Sequence, residues 1–454
     1  MFFVVSAFGQ TADTRLLTAE EYISQLKKYH PVVKQSDLIV ERSKAMLMAA
    51  RGQFDPIASY EARHKTFTGK DYYNYVNAGL EIPLPIGSIK TGVDQNYGDL
   101  ITSEATVGTS SYLGLEIPVL NGLLIDKRRA ALQQAKIYRE AAEQERLLLL
   151  NDVLFDAYMA YWTWAAQFKL YNVYERFNRV AEERLRLVRI SYVNGDRSPM
   201  DTTEAYVQWQ SYQVMQAEAA VALNKSIFAL SDFLWLERDS NYVLPANYIP
   251  DTASFINKLI PADLDTYVEN QLLETPLLRF YNYKLADLEV ERRLKFQQLL
   301  PYVALKGNIL SKNYYNYTNW NKGYIPANNQ WGLSINMPLF LREARGNYQR
   351  TKIKIRETEL ERTYKQTQSL NKVRTYFNET ALLQQQVSLT RNMYKNYASL
   401  LKNEELRFRQ GESSLFVLNT RENKIIETLQ KEIEIRLKYF KARYALDWVT
   451  GRLE

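Results

Sequence analysis

The fold is decided by the stretch Ile125–Tyr192, IDKRRAALQQAKIYREAAEQERLLLLNDVLFDAYMAYWTWAAQFKLYNVYERFNRVAEERLRLVRISY, which contains neither proline nor glycine. Apolar residues recur in it at the spacing of one helix face. They are Leu147, Leu150, Val153, Leu154, Ala157, Tyr161, Trp164, Phe168, Tyr171, Val180 and Leu187. One continuous helix of this length would measure about 100 Å, more than a compact domain can use, so the stretch predicts a long helical rod.

A second rod runs from Arg342 to Gln410 and is interrupted only by Gly346. Each rod ends in a reversal of the same design, Tyr192-Val-Asn-Gly195-Asp-Arg-Ser198 and Phe408-Arg-Gln-Gly411-Glu-Ser-Ser414. The two glycines are 216 positions apart (411 − 195). The chain is therefore predicted to contain an internal two-fold repeat of helix, strands, long helix, turn and helix.

Alternating apolar and polar residues predict strands between the helices of each repeat. The alternation covers 57–67, 75–82, 89–97 and 112–117 in the first repeat, and 302–309 and 331–337 in the second. Many segments approach the roughly 9–11 residues that a tilted strand needs to cross a bilayer, although strands of a soluble sandwich alternate in the same way. Several tyrosines stand near strand ends, as in the aromatic girdles of outer-membrane barrels. They are Tyr72, Tyr73, Tyr75, Tyr97 and Tyr112.

The predicted domains follow the repeat. Residues 1–17 are the remnant of an export signal or a disordered start, because MFFVVSAFGQ is apolar with small residues but lacks a basic head. Residues 18–236 form the first repeat: a helix that Pro31 interrupts, strands at 57–118, a long helix at 124–193, a turn, and a helix over 200–236. An irregular equatorial linker occupies 237–261. Residues 262–454 form the second repeat: a helix over 262–299 that contains Pro276, strands at 302–337, a long helix at 342–409, a turn and a last helix.

Composition argues against several function classes. The net charge of +7 is spread along the helices, which is typical of solvated helix faces rather than of a nucleic-acid surface. Cysteine is absent, so disulfides, thiolate metal sites and a cysteine nucleophile are excluded. Neither His30 nor His64 has a partner at a familiar metal-ligand spacing, and no phosphate loop or nucleophile elbow occurs. We therefore expect no catalytic residues, no bound metal and no cofactor.

With these turns, this repeat and a proline where strand meets helix (Pro56, Pro118, Pro301 and Pro338), the sequence resembles the TolC-like outer-membrane efflux protein family, also called outer-membrane factors. The resemblance covers the chain from about Thr18 onward. It implies a mainly α protein with membrane β structure. A long coiled-coil α-barrel in the periplasm and a transmembrane β-barrel in the bacterial outer membrane would both be shared by a homotrimer.

The resemblance also implies a function and partners. The trimer would be a passive channel, the outer-membrane exit duct of a tripartite efflux pump or of a type I secretion system, and the sequence does not separate these two. A periplasmic membrane-fusion adaptor and an inner-membrane transporter of the RND or ABC type would open it. Outer-membrane lipid is a further implied partner, whereas nucleic acid is not.

The two turns are the implied adaptor-contact tips. Their residues are Asn194, Gly195, Asp196, Arg197, Ser198, Gln410, Gly411, Glu412, Ser413 and Ser414. Alternatively, these residues only suit a helix reversal, because the glycines need that backbone conformation whether or not a partner binds. The implied pore entrance comprises Asp201, Glu204, Phe416, Val417 and Thr420.

The sequence departs from the family pattern in two respects. Well-known members carry aspartates six and nine residues after the second turn glycine, where this chain has Val417 and Thr420. These replacements predict a weaker cation preference than an acidic ring would give. Alternatively, the first repeat builds an acidic constriction, because Asp201 and Glu204 have the same spacing after its glycine. The family pattern is also two strands per repeat and twelve per trimer. Here an additional hairpin at about 72–97 would either join the barrel, giving eighteen strands, or fold outside or over the pore.

A competing interpretation is a structural coiled-coil tether without channel activity, in which the alternating segments form a small soluble domain. Strand placement favours the channel. A tether has no reason to carry segments of bilayer-crossing length between its helices at matching points of both repeats.

Overall fold

A computed structural model describes residues 14–102, 105–237, 240–245, 247–253, 274–312 and 324–453. The chain divides into two compact units, each assembled from segments that are separate in sequence. The first unit lies within Met1–Leu38, Glu145–Pro276 and Lys365–Glu454. The second comprises Ile39–Gln144 and Leu277–Tyr364.

Helices account for most of the described residues, and the strands fall mainly in two clusters along the chain. The helices are α1 (Ala19–Tyr29), α2 (Pro31–Gly52), α3 (Lys127–Val193), α4 (Pro199–Ser231), α5 (Pro276–Gln297), the short α6 (Tyr324–Ala327), α7 (Arg342–Arg409) and α8 (Leu415–Val449). The strands are β1 (Arg15–Leu17), β2 (Ile57–Phe67), β3 (Lys70–Pro83), β4 (Ser88–Tyr97), β5 (Gly108–Pro118), β6 (Trp235–Leu236), β7 (Ser240–Asn241), β8 (Tyr248–Pro250), β9 (Tyr302–Lys312) and β10 (Asn329–Asn336).

Six strands of the second unit form one antiparallel sheet in the order β10-β9-β5-β4-β3-β2. Successive side chains of a strand point to opposite faces, and the alternation stays in phase across the sheet. One row of the apolar face crosses five strands, and each residue in it lies opposite the next. The row runs from Ile82 of β3 through Ile89 of β4, Leu115 of β5 and Gly307 of β9 to Trp331 of β10. A row of the polar face runs in the same way from Glu61 of β2 through Asn77 of β3, Asp94 of β4 and Ser110 of β5 to Lys312 of β9. The sheet therefore has an apolar face and a polar face that extend over neighbouring strands without interruption.

The first unit is held together by a core of large apolar side chains from α1, α3, α4 and α8. Tyr22, Trp164, Leu230 and Phe440 are almost completely buried in it. Tyr161 is also buried, but its hydroxyl has partners: it donates to the carbonyl oxygen of Leu17 at 2.8 Å and accepts the amide of Asp251 at 3.1 Å. Burial raises the pKa of this phenol, so Tyr161 remains protonated and joins α3 to two chain segments outside the helices.

The six predicted strands and the two long helices are confirmed, and Pro31 does separate two helices. Two expected helix bounds are wrong. The helix expected over 200–236 ends at Ser231, where the serine hydroxyl bonds to the carbonyl of Ile227 and accepts the amide of Leu244 at 3.1 Å. Trp235 and Leu236 then form β6, which pairs with β7.

The helix expected to continue through Pro276 instead begins there, because Glu274 and Thr275 are not helical. Proline has no amide hydrogen for an interior helix bond and is accommodated in the first turn. Arg15–Leu17, assigned from sequence to the disordered start, form β1 and pair with β8. Most of the predicted start, part of the linker and residues 262–273 lie outside the described residues.

Among the residues that the structure describes, none of the helices combines the length and the apolar character required to cross a bilayer.

Candidate functional site

The polar face of the sheet carries a cluster of charged side chains close to the strand ends at Pro83 and Pro118. Glu116 on β5 lies 2.9 Å from Lys90 on β4 and 3.6 Å from Lys306 on β9. Glu81, Lys90 and Glu116 border a cavity of about 460 Å³. Sequence analysis did not identify this cluster. The sequence did contain a clue to it, because all of its charged residues occupy polar positions in the alternation of their strands.

In the first unit, α3 and α7 end in turns with the same hydrogen-bond pattern. The amide of Gly195 bonds to the carbonyl of Tyr192 at 3.0 Å, and that of Asp196 to Ser191 at 2.8 Å. In the second turn, Gly411 bonds to Phe408 at 3.2 Å, and Glu412 to Arg407 at 2.9 Å. This pair of bonds defines a Schellman motif. It requires a left-handed residue, and the glycines supply it with φ of 83° and 79°.

The helices that follow the two turns begin with unequal caps. The Ser198 hydroxyl accepts the Asp201 amide at 3.2 Å, and the Asp201 carboxylate accepts the Ser198 amide at 3.1 Å, which completes a capping box. Ser414 makes only the first type of bond, to the Val417 amide at 3.4 Å, because valine cannot return one. The first helix start is therefore the better satisfied.

We expect Ser198→Ala to lower the free energy of unfolding by about 1 kcal/mol, and Ser414→Ala to lower it by less. The reason is that Ser198→Ala removes one half of a reciprocal pair. Guanidinium unfolding followed by helical circular dichroism measures both variants. Equal losses would show that the capping box adds nothing to the first turn.

The two turns contact each other. The Arg197 guanidinium lies 4.5 Å from the centre of the Phe408 ring, a cation–π contact between the first turn and the end of α7. Beneath it, Leu185, Val188, Ala205 and Leu415 form a buried cluster. Most predicted tip residues are exposed; Arg197 and Ser413 are half-buried. A Cβ added at Gly195 or Gly411 would meet no other atom within 4 Å. The turns thus present bare backbone together at one surface.

The predicted pore-entrance residues follow the two turns directly. The side chain of Phe416 is exposed, with 67% of the residue accessible. The Asp201 carboxylate is engaged in the cap, and a Glu204 oxygen accepts the Asn419 amide at 3.2 Å. Both carboxylates are half-buried and bonded within the chain. Their use in local structure agrees with the expected weak cation preference, which stays a prediction.

A polar network that sequence analysis missed joins α3, α4 and α8 near the turns. Arg184 donates to both carboxylate oxygens of Glu422, one of them at 2.6 Å, and to Asn419 at 3.3 Å. Tyr212 donates to Asn423 at 3.1 Å. Burial is the largest influence on Arg184 and disfavours its charge, but the hydrogen bond to Glu422 and the attraction of nearby negative charge, chiefly that of Glu422, together outweigh burial and raise the pKa of Arg184. The network therefore holds an ion pair within the helices behind the turns.

Both the sequence and the fold of this chain are similar to those of known proteins. Residues 270–452 match the family model described as outer membrane efflux protein. No match was found among curated proteins. Structural similarity is extensive at low identity. The Campylobacter jejuni CmeC outer membrane channel gives a TM-score of 0.68 at 14% identity, covering 95% of this chain and 85% of that one.

Two further solved structures are similar to the same extent. The outer membrane protein VceC of Vibrio cholerae gives a TM-score of 0.66 at 14% identity, covering 95% of each chain. The MtrE outer membrane channel of Neisseria gonorrhoeae gives a TM-score of 0.66 at 17% identity, covering 96% of this chain and 89% of that one. The resemblance inferred from the turns and the strands is thus confirmed: residues 270–452 match the outer membrane efflux protein model, and the fold over 95% of the chain is similar to that of solved outer-membrane channels.

Proposed function

We propose that three copies of this chain form a passive exit duct in the bacterial outer membrane. Their sheets would close one β-barrel in outer-membrane lipid, and their long helices would form an α-barrel in the periplasm. The observation that carries the proposal is the six-stranded sheet, whose apolar face lies opposite a polar face with charged and amide side chains. Such a sheet suits lipid on one side and water on the other.

The duct would work as the outer component of a tripartite efflux pump or a type I secretion system. A periplasmic membrane-fusion adaptor would bind the two turns, and an inner-membrane RND or ABC transporter would supply the energy. The match of residues 270–452 to the outer membrane efflux protein model and the exposure of the two adjacent turns support this assignment. No step of the proposed transport needs a catalytic residue or a cofactor in this chain.

Cell fractionation separates this proposal from a structural coiled-coil tether. We expect the protein in detergent extracts of the outer membrane, as a trimer that dissociates only on heating. A soluble monomer would contradict the duct and support the tether.

Adaptor recognition at the turns is tested by Gly195→Asn combined with Gly411→Asn. Asparagine tolerates the left-handed conformation, and no atom of the chain obstructs its Cβ, so we expect unfolding free energy to change by about 1 kcal/mol or less. Adaptor affinity should nevertheless fall about tenfold, equivalent to about 1.4 kcal/mol, because side chains would cover the bare backbone. Affinity of the purified duct for an immobilised adaptor measures this. Unchanged affinity would mean that the glycines serve only the helix reversal.

A further inference from the structure

The sheet of the second unit contains a hairpin that the family pattern of two strands per repeat does not require. β3 and β4 lie between β2 and β5, and they are hydrogen-bonded on both sides. β3 pairs with β2 from Glu81 opposite Ile57 onward, and β4 pairs with β5 from Ser88 opposite Glu116 to Asn96 opposite Gly108. In a sheet of the twelve-stranded pattern, β2 and β5 would be direct neighbours.

We propose that the β3–β4 hairpin is part of the barrel wall, so that three copies close an eighteen-stranded barrel by pairing β10 of one copy with β2 of the next. The strand total, six in each of three copies, rests on the trimer of the proposed function. The surface that this inference assigns is the pair of sheet edges, and its partner is a second copy of this chain.

The faces of the hairpin match those of its neighbours. Leu80 of β3 lies opposite Ala58 on one side and Thr91 on the other, and Thr91 lies opposite Leu113 of β5. Charged and amide residues alternate with this row, so the polar face also continues through the hairpin. A hairpin folded over the pore or outside the barrel would not need both faces in phase with the wall.

Side-chain packing also joins the hairpin to β5. The Tyr112 side chain lies across Gly92 of β4 and Gly79 of β3 on the polar face. A Cβ on Gly92 would come within 2.6 Å of the Tyr112 hydroxyl oxygen, so any other residue would displace the ring. Asn77 of β3 donates to that oxygen at 3.4 Å. The glycines of the hairpin therefore accommodate a side chain of the neighbouring strand.

The edges of the sheet are suited to closure between copies. Within the described chain, β2 and β10 each pair with one neighbour and leave one edge unpaired. Because six antiparallel strands separate these edges, β2 and β10 run in opposite directions, and their pairing between copies would continue the antiparallel pattern. Unpaired backbone groups in lipid cost several kcal/mol each, which is why a spanning sheet must close.

The consequence is a wider exit. Barrel diameter grows roughly linearly with strand number, so eighteen strands give a diameter about 1.5 times that of twelve, and a cross-section roughly twice as large. Barrels of this size leave an aqueous channel. The duct would then admit bulkier cargo through the membrane than a twelve-stranded barrel does.

Cysteine cross-linking tests the strand order, and the chain has no native cysteine to interfere. Three double variants are made in the row of the polar face: Glu61→Cys with Asn77→Cys for β2–β3, Asp94→Cys with Ser110→Cys for β4–β5, and Glu61→Cys with Ser110→Cys for β2–β5. In membranes, we expect oxidation to cross-link the first two pairs within a chain and to leave the third unlinked. A cross-link in the third pair would overturn the inference.

Deletion of 70–97 provides a second measurement. The deletion removes β3 and β4, which run in opposite directions, and so lets β2 pair with β5 in the antiparallel pattern. We expect a trimer whose barrel diameter, measured by electron microscopy, is about two-thirds of the wild-type diameter. An unchanged diameter would overturn the inference, and the cross-links decide if the deletion variant does not fold. If the cysteine variants cross-link as expected but the wild-type protein is monomeric in detergent, the trimer and so the eighteen-strand total are refuted, whereas the strand order is retained.

Discussion

Replacing Arg184 with alanine is expected to destabilise the protein by about 3–5 kcal/mol, the cost of leaving a buried charge without its partner. The Glu422 side chain is only 1% exposed, and that of Arg184 is 12% exposed. Without Arg184, the carboxylate would keep one weak contact, to the Tyr212 hydroxyl at 3.4 Å. Burial raises the pKa of Tyr212, so its hydroxyl stays protonated but cannot replace a cation. Guanidinium unfolding of the detergent-solubilised protein measures the loss.

The matched control replaces both charges, Arg184→Met with Glu422→Leu. Substituting a buried ion pair by apolar residues of similar size is often neutral or stabilising, so this double variant should retain wild-type stability or exceed it. Tyr212 would still have Asn423 as its acceptor. If Arg184→Ala alone costs less than about 1 kcal/mol, the pair behaves as a surface salt bridge and the packing described here is wrong.

Leu333→Arg is expected to prevent most of the protein from assembling as an outer-membrane trimer. Leu333 lies in the middle of β10 on the apolar face, opposite Leu305, and is 55% exposed in the single chain. If that face contacts lipid, arginine there costs about 2–4 kcal/mol per copy near the bilayer midplane. We expect the heat-dissociable trimer recovered from outer membranes to fall at least tenfold.

The control for this variant is one residue away. Ser334 lies on the polar face of β10, where an arginine would meet water in the proposed barrel. Ser334→Arg should therefore assemble at close to the wild-type level. Equal recovery of the two variants would show that the two faces do not have different surroundings.

The strands were predictable wherever each residue obeys the alternation. β2 has its predicted bounds for this reason, whereas β3 begins at Lys70 rather than Tyr75. Its first residues pair with β2 beyond a register shift between Lys65 and Thr66, and that shift hides the alternation. β5 begins at Gly108 rather than Tyr112 because small polar residues on both faces become strand only through pairing with β4.

The turns were visible in the sequence because glycine and serine at fixed offsets are a local requirement of a Schellman turn followed by a capped helix. The ion pair behind the turns could not be predicted from the sequence, because Arg184 and Glu422 are 238 positions apart. A signal did exist: Arg184 stands next to Leu185 and close to Ala181, on a buried stripe of α3. A charge at such a position predicts a buried partner but does not identify it.

In the proposed assembly, each chain supplies one sector of a duct through the outer membrane. Electron cryo-microscopy of the purified protein in lipid nanodiscs tests it most directly. We expect three copies around one axis, with Trp331 and Leu333 facing lipid and the turns at Gly195 and Gly411 outside the bilayer. A monomer, or a sheet whose apolar face packs against protein away from the lipid, would contradict it.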